Sequence, residues 1–182
     1  MSAPGGDQAS ARGPVPSVHE PEREGRQLAL AAVFEADFGL RTAEAVLERR
    51  LAEGTTSDRA AAHARLLVST VTRHRVTIDA EIERVAPAYP VVQLARIDRA
   101  LLRSGMGELL HCPATPTRVA VSEWVEMART YSGEPTRRLV NGVLGQVANA
   151  STGKGPDRGG HGTGPEIETT DVTTDHEEGT SQ

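Results

Sequence analysis

From Val92 to His111 apolar residues fall on nearly every side of a helical pattern: Leu94, Ile97, Leu101, Leu102, Met106, Leu109 and Leu110. A helix that is apolar around most of its circumference belongs at the centre of a bundle, where neighbours cover it from all sides. The rest of the chain supplies those neighbours. A first helix is expected from about Glu22 to Phe38, with Leu30, Val33, Phe34 and Phe38 on one face and Gly39 as its stop. A second starts at Thr42, buries Ala43, Val46, Leu47 and Leu51, and ends at Gly54. Ser57 or Asp58 opens a third, with Ala60, Ala64, Leu67, Val68 and Val71 in register. The β-branched residues Val71, Thr72, Val76 and Thr77 predict a break near Arg73 to Arg75, after which Ile78, Ile82 and Val85 continue to Pro87. Pro113 and Pro116 end the central helix. Thr117 can then cap a helix burying Val121, Trp124, Val125 and Ala128, and Pro135 suits the first turn of a last helix ending near Ala150. The expected fold is all-α, a compact bundle of about seven helical segments over residues 22–150.

The two ends read differently. Residues 1–21 are rich in Pro, Gly, Ser and Ala, and residues 151–182 in Gly, Thr and acids, so neither buries enough apolar surface to offset its ordering entropy. Both are expected to be disordered. Charge divides along the same lines: residues 1–21 carry one arginine against two acids, residues 22–150 seventeen against sixteen, and residues 151–182 two basic residues against seven acids. The tail supplies the acidity, and the body is near neutral. All the basic residues except Lys154 are arginine, which matches phosphate oxygens two at a time, although genome base composition produces the same bias.

Most chemistries lack their residues. The single cysteine, Cys112, allows neither an intramolecular disulfide nor a cysteine-based zinc site. The six histidines never pair four apart around a glutamate, and no glycine loop leads into Lys and Ser/Thr. Ser151 to Lys154 formally matches a Ser-x-x-Lys nucleophile pattern but falls at the start of the tail, where no surrounding shell would position it. The N-terminus has neither a basic run nor an apolar core of a signal peptide, and no apolar run is long enough to span a membrane. The expectation is a cytoplasmic protein that is not an enzyme and has no cofactor and no metal.

Three blocks carry a resemblance. They are Ile97-Asp98-Arg99-Ala100-Leu101-Leu102-Arg103 with Glu108-Leu109-Leu110, then Val119 to Ala128, then Leu139-Val140-Asn141-Gly142-Val143-Leu144. Asn-Gly usually marks a turn, yet here it sits inside a helical pattern, where glycine costs ~1 kcal/mol relative to alanine and so points to close packing or a contact surface. In this order and spacing the blocks resemble the bacterial antitermination factor family NusB, over about Glu22 to Ala150. The resemblance implies an RNA-binding protein that acts with a NusE-type small-subunit ribosomal protein on boxA-like single-stranded RNA, within a transcription elongation complex in ribosomal RNA synthesis. It leaves the choice between monomer and homodimer open.

The resemblance also assigns residues. An arginine cluster opening the first helix holds RNA phosphates in the family; here Arg23 and Arg26 match it, while Glu22 and Glu24 replace basic positions. Phe34 matches an aromatic near the RNA face, though its place in the first helix's stripe equally suits core packing. Leu139 stands where the family commonly has phenylalanine, and Arg137 and Arg138 before it, with Asn141 after it, complete the expected RNA contacts. Asp98 occupies an acidic position that faces the ribosomal partner, or else serves as a first-turn acid. Gly105 and Gly107 replace larger residues of the family. The alternative is a divergent interaction module with the same fold and reduced or lost RNA binding. NusB-like domains also precede ribosomal RNA methyltransferase domains, but no methyltransferase sequence follows Ala150.

Overall fold

The computed structural model describes residues 20–151; residues 1–19 and 152–182, and with them most of the two ends expected to be disordered, lie outside the described residues. Six α-helices follow in order: α1 (Glu20–Ala36), α2 (Ala43–Glu53), α3 (Asp58–Val85), α4 (Arg96–His111), α5 (Thr117–Tyr131) and α6 (Glu134–Ser151), with a 3-10 turn at Val91–Gln93 before α4. No strand occurs among them. Glu20 and Pro21 open α1 and Ser151 closes α6, so the expected end segments give up these three residues to helices.

Helix α4 is the central element. It packs on α1, α3, α5 and α6, and Leu101, Leu102 and Met106 are wholly buried. Gly105 and Gly107 bring its neighbours close. A methyl group at Gly105 would stand 2.9 Å from Leu144 Cδ1 and 3.1 Å from Trp124 Cγ, and one at Gly107 3.2 Å from Val71 Cγ2. Gly25 does the same for α1, where an added carbon would meet the Ala60 carbonyl oxygen of α3 at 2.8 Å.

Four local expectations are corrected. Helix α3 runs unbroken through Arg73–Arg75, which is why there are six helices and not seven. Ile78 and Ile82 continue the buried stripe of Leu67 and Val71, and burying that stripe outweighs the few tenths of a kcal/mol each β-branched residue costs a helix. The central helix begins at Arg96, not Val92. Side chains from elsewhere take up the backbone groups freed by that break: Arg99 Nη1 donates to the Val91 and Val92 carbonyls, and the Glu83 carboxylate accepts from the Val91 N–H at 3.1 Å. Helix α1 stops at Ala36, and a turn ending at Gly39 (φ 79°) carries Phe38 out of the apolar stripe to half exposure. The caps at Thr42 and Ser57 are present, with each side chain accepting from the N–H three residues on. At α5, Pro116 takes the cap position and Thr117 is the first helical residue, without a capping bond.

Candidate nucleic-acid and partner interface

The start of α1 separates the two arginines expected to work together. Arg23 is exposed and stands 3.5 Å from Glu123 on α5. Arg26 is buried, and this corrects its assignment as an RNA contact: its guanidinium forks onto Glu108 of α4, Nε to Oε2 at 2.8 Å and Nη2 to Oε1 at 2.7 Å. The Trp124 indole N–H donates to the same Oε2 at 2.7 Å, and His63 Nε2 stands 3.5 Å from Oε1. Burial alone would raise the Glu108 carboxyl, but the surrounding donors and the Arg26 charge outweigh it and hold the carboxyl down at about 2. Arg26 therefore ties α1, α4 and α5 together and offers nothing to solvent.

Helix α6 divides the remaining candidates between its two sides. On one side Arg137 and Asn141 line a groove of about 580 Å³ between α5 and α6, together with Arg118 and Arg129 of α5 over an apolar floor of Val121 and Val125. Glu126 lies in the same groove, where the hydrogen bond from Arg129 and the charges of Arg129, Arg23 and Arg137 keep its carboxyl low against a modest cost of burial. Arg23 thus belongs to this face electrostatically. Among the described residues Arg129 and Arg137 bind carboxylates of their own helices, Glu126 and Glu134, as exposed pairs three residues apart. Such pairs contribute little and exchange readily for another anion.

On the other side Arg138, Leu139 and Asp98 line a groove of about 790 Å³, closed by Pro87 and Tyr89 from the connector after α3. Gly142 opens onto it, and an added carbon there would meet nothing within 4 Å, so the glycine of the Asn-Gly pair marks a surface and not a close packing. Asp98 has structural work of its own: its Oδ1 accepts from the hydroxyls of Ser132 and Thr136, fastening the α5–α6 turn to α4. Phe34 joins neither groove. It is half-buried against the core and meets Phe38 edge-on at 5.4 Å, with the Arg96 guanidinium 4.6 Å above the Phe38 ring. On a helix rising about 1.5 Å per residue, that is roughly 16 Å along α1 from Arg23.

Arg118, Arg129, Val121 and Val125 were missed as groove residues from the sequence. Their signal was present: Arg118, Ser122, Val125 and Arg129 recur at helical spacing and share one face of α5. Only the packing of α6 alongside turns that face into a groove. Among the described residues no cluster of three or more His, Cys, Asp or Glu could hold a metal ion, and no helix is long and apolar enough to cross a membrane.

A helical bundle whose last helix is flanked by an arginine-lined groove and a mixed apolar one is a binding module built of two surfaces. The NusB family model matches residues 23–149, and this chain belongs to the NusB family. A transcription antitermination protein NusB of Dehalococcoides mccartyi is 36% identical over 70% of this chain and 90% of its own length. The solved NusB of T. maritima superposes with a TM-score of 0.66 at 30% identity, covering 71% of this chain and 91% of that one. A structure of NusB and NusE in complex with dsRNA has a TM-score of 0.65 over 71% of this chain and 97% of that chain; at 24% identity it speaks for the fold.

Proposed function

We propose that this protein is an RNA-binding transcription antitermination factor that acts by binding alone, without catalysis. Its folded unit, residues 20–151, works in the cytoplasm with a NusE-type ribosomal protein on boxA-like single-stranded RNA. The carrying observation is the α5–α6 groove, where Arg118, Arg129 and Arg137 rim an apolar floor beside Asn141, while the charge of Arg23, outside the lining, reaches its Glu126. Guanidiniums at such spacing grip phosphates, and the apolar floor accepts unstacked bases. The second groove, with Asp98, is the partner's, and Arg138 and Leu139, expected among the RNA contacts, go with it because they line that groove and not the α5–α6 one. A carboxylate facing a basic ribosomal protein contributes on-rate and register.

With Arg26 buried and Glu22 and Glu24 in place of basic residues, the RNA face is thinly charged. The protein alone therefore binds RNA weakly, and its partner tightens the complex. Anisotropy titrations of a boxA-like RNA test this, with and without the partner, at several salt concentrations. Arg129→Ala with Arg137→Ala should weaken binding and flatten the log–log salt slope by about 1.4, at ~0.7 per lost single-strand phosphate contact. A double variant with wild-type affinity and slope would remove RNA from this groove. RNA binding absent even with the partner present would favour the interaction module that has lost RNA.

A further inference from the structure

The α5–α6 groove lies beside the point where the chain leaves the described bundle. Ala148 and Asn149 line its near end, and α6 closes two residues later at Ser151. Arg137 is twelve residues back from Asn149, about 18 Å along the helix. The sequence that follows is complementary to the groove. Residues 159–182, which lie outside the described residues, hold six carboxylates (Glu166, Glu168, Asp171, Asp175, Glu177 and Glu178) and no lysine or arginine. Two apolar side chains are set between them, in Glu166-Ile167-Glu168 and Asp171-Val172. The groove presents the counterpart: three arginines against the single acid Glu126, above Val121 and Val125. Among the described residues Arg118 has no ion-pair partner, and those of Arg129 and Arg137 are exposed neighbours on their own helices.

We propose that residues 159–182 of the same chain dock in the α5–α6 groove, with their carboxylates on Arg118, Arg129 and Arg137 and Ile167 or Val172 on the valine floor. Residues 152–158 can span at most about 25 Å when extended, enough to carry Glu166 from the near end of the groove over its arginines. A tether this short holds the segment at a millimolar effective concentration, so individually weak contacts suffice. The docking rests on charge, reach and the groove's lining, independently of what else the groove binds. If the groove also takes RNA, as proposed above, the segment competes with RNA phosphates and screens out weak, nonspecific strands.

The test compares full-length wild type with a full-length variant carrying E166Q, E168Q, D171N, D175N, E177Q and E178Q. Phenylglyoxal labels arginines, and peptide mass spectrometry reads each rate at low salt. Docking for about two-thirds of the time predicts about threefold faster labelling of Arg118, Arg129 and Arg137 in the variant. Arg41 and Arg75, exposed and remote from the groove, should be unchanged. Raising salt to about 0.5 M should release the same three sites in wild type, because screening shortens the reach of each ion pair. Equal groove labelling in both proteins would overturn the proposal. So would an equal rise at Arg41 and Arg75, which would reveal only the tail's general field. Protection lost on dilution would put a second chain's segment in the groove and overturn the intramolecular form. RNA titration of the variant separates the two proposals. Tighter RNA binding places both ligands in one groove, while altered labelling with unaltered RNA affinity keeps the docking and removes RNA from it.

Discussion

Glu108 keeps its charge in the middle of the bundle because His63 stands beside its carboxylate and Arg26 and Trp124 donate three hydrogen bonds to its two oxygens, which together outweigh its burial. Its carboxyl lies at about 2 instead of the usual 4.5, a difference equivalent to about 3 kcal/mol of folding stability. The contribution is complete above 4.5 and is lost as pH falls through about 2. Glu108→Gln should therefore lower neutral-pH stability by about 3 kcal/mol, since it leaves Arg26 buried without its counter-charge. It should also flatten the acid limb of a urea-denaturation series between those pH values. The half-buried carboxylates at the surface paired with arginines, such as Glu35 and Glu81, leave only a shallow slope behind. If Glu108→Gln keeps the wild-type acid limb, the buried pair is not its origin. The same chemistry separates the arginines of α1: Arg26→Ala should destabilise the fold, while Arg23→Ala should leave the melting temperature near wild type.

Between elements, glycine has two opposite uses here, and substitution tells them apart. Gly142 faces the open groove, so Gly142→Ala should raise stability by about 0.5–1 kcal/mol through helix propensity alone. Gly105 lies under Leu144 and Trp124, and Gly105→Ala should lower stability by about 1–3 kcal/mol because the core cannot absorb the methyl group without shifting. Thermal melts of the two variants should move in opposite directions. A loss at both would mean that α6 packs more closely than its contacts indicate. From sequence both glycines are merely costly in a helix, since what a methyl would strike depends on a neighbouring helix.

For the molecule as a whole, α6 places the two proposed surfaces back to back, so substitutions in one should leave the contacts made by the other intact even though partner binding tightens RNA binding. Asp98→Asn keeps an acceptor oxygen for Ser132 and Thr136, so melting should stay near wild type while partner association slows at low salt. Combined with Arg129→Ala and Arg137→Ala, its effect on assembly should add to theirs within about 0.5 kcal/mol, as for sites without shared partners. A larger coupling in a double-mutant cycle would mean that RNA and partner share one surface.

Apolar spacing and Gly/Pro punctuation were enough to show an all-α bundle, the order of its helices, the central position of α4 and two of the caps, because each depends on residues within a few positions of one another, although they divided α3 in two. The kinship with NusB was also legible, since the Ile97–Leu110, Val119–Ala128 and Leu139–Leu144 blocks are local strings in a fixed order. Long-range partners decided the rest. Burial of Ile78 and Ile82 kept α3 whole, and Arg99 and Glu83 held the break before α4. Glu108, 82 positions away, withdrew Arg26 from the surface. Arg23 and Arg26 differ little as text, and so do Arg137 and Arg138. Which of each pair meets solvent, core or groove is set by the helix packed against it, through the cost of burying an unpaired charge, and local sequence does not carry that term.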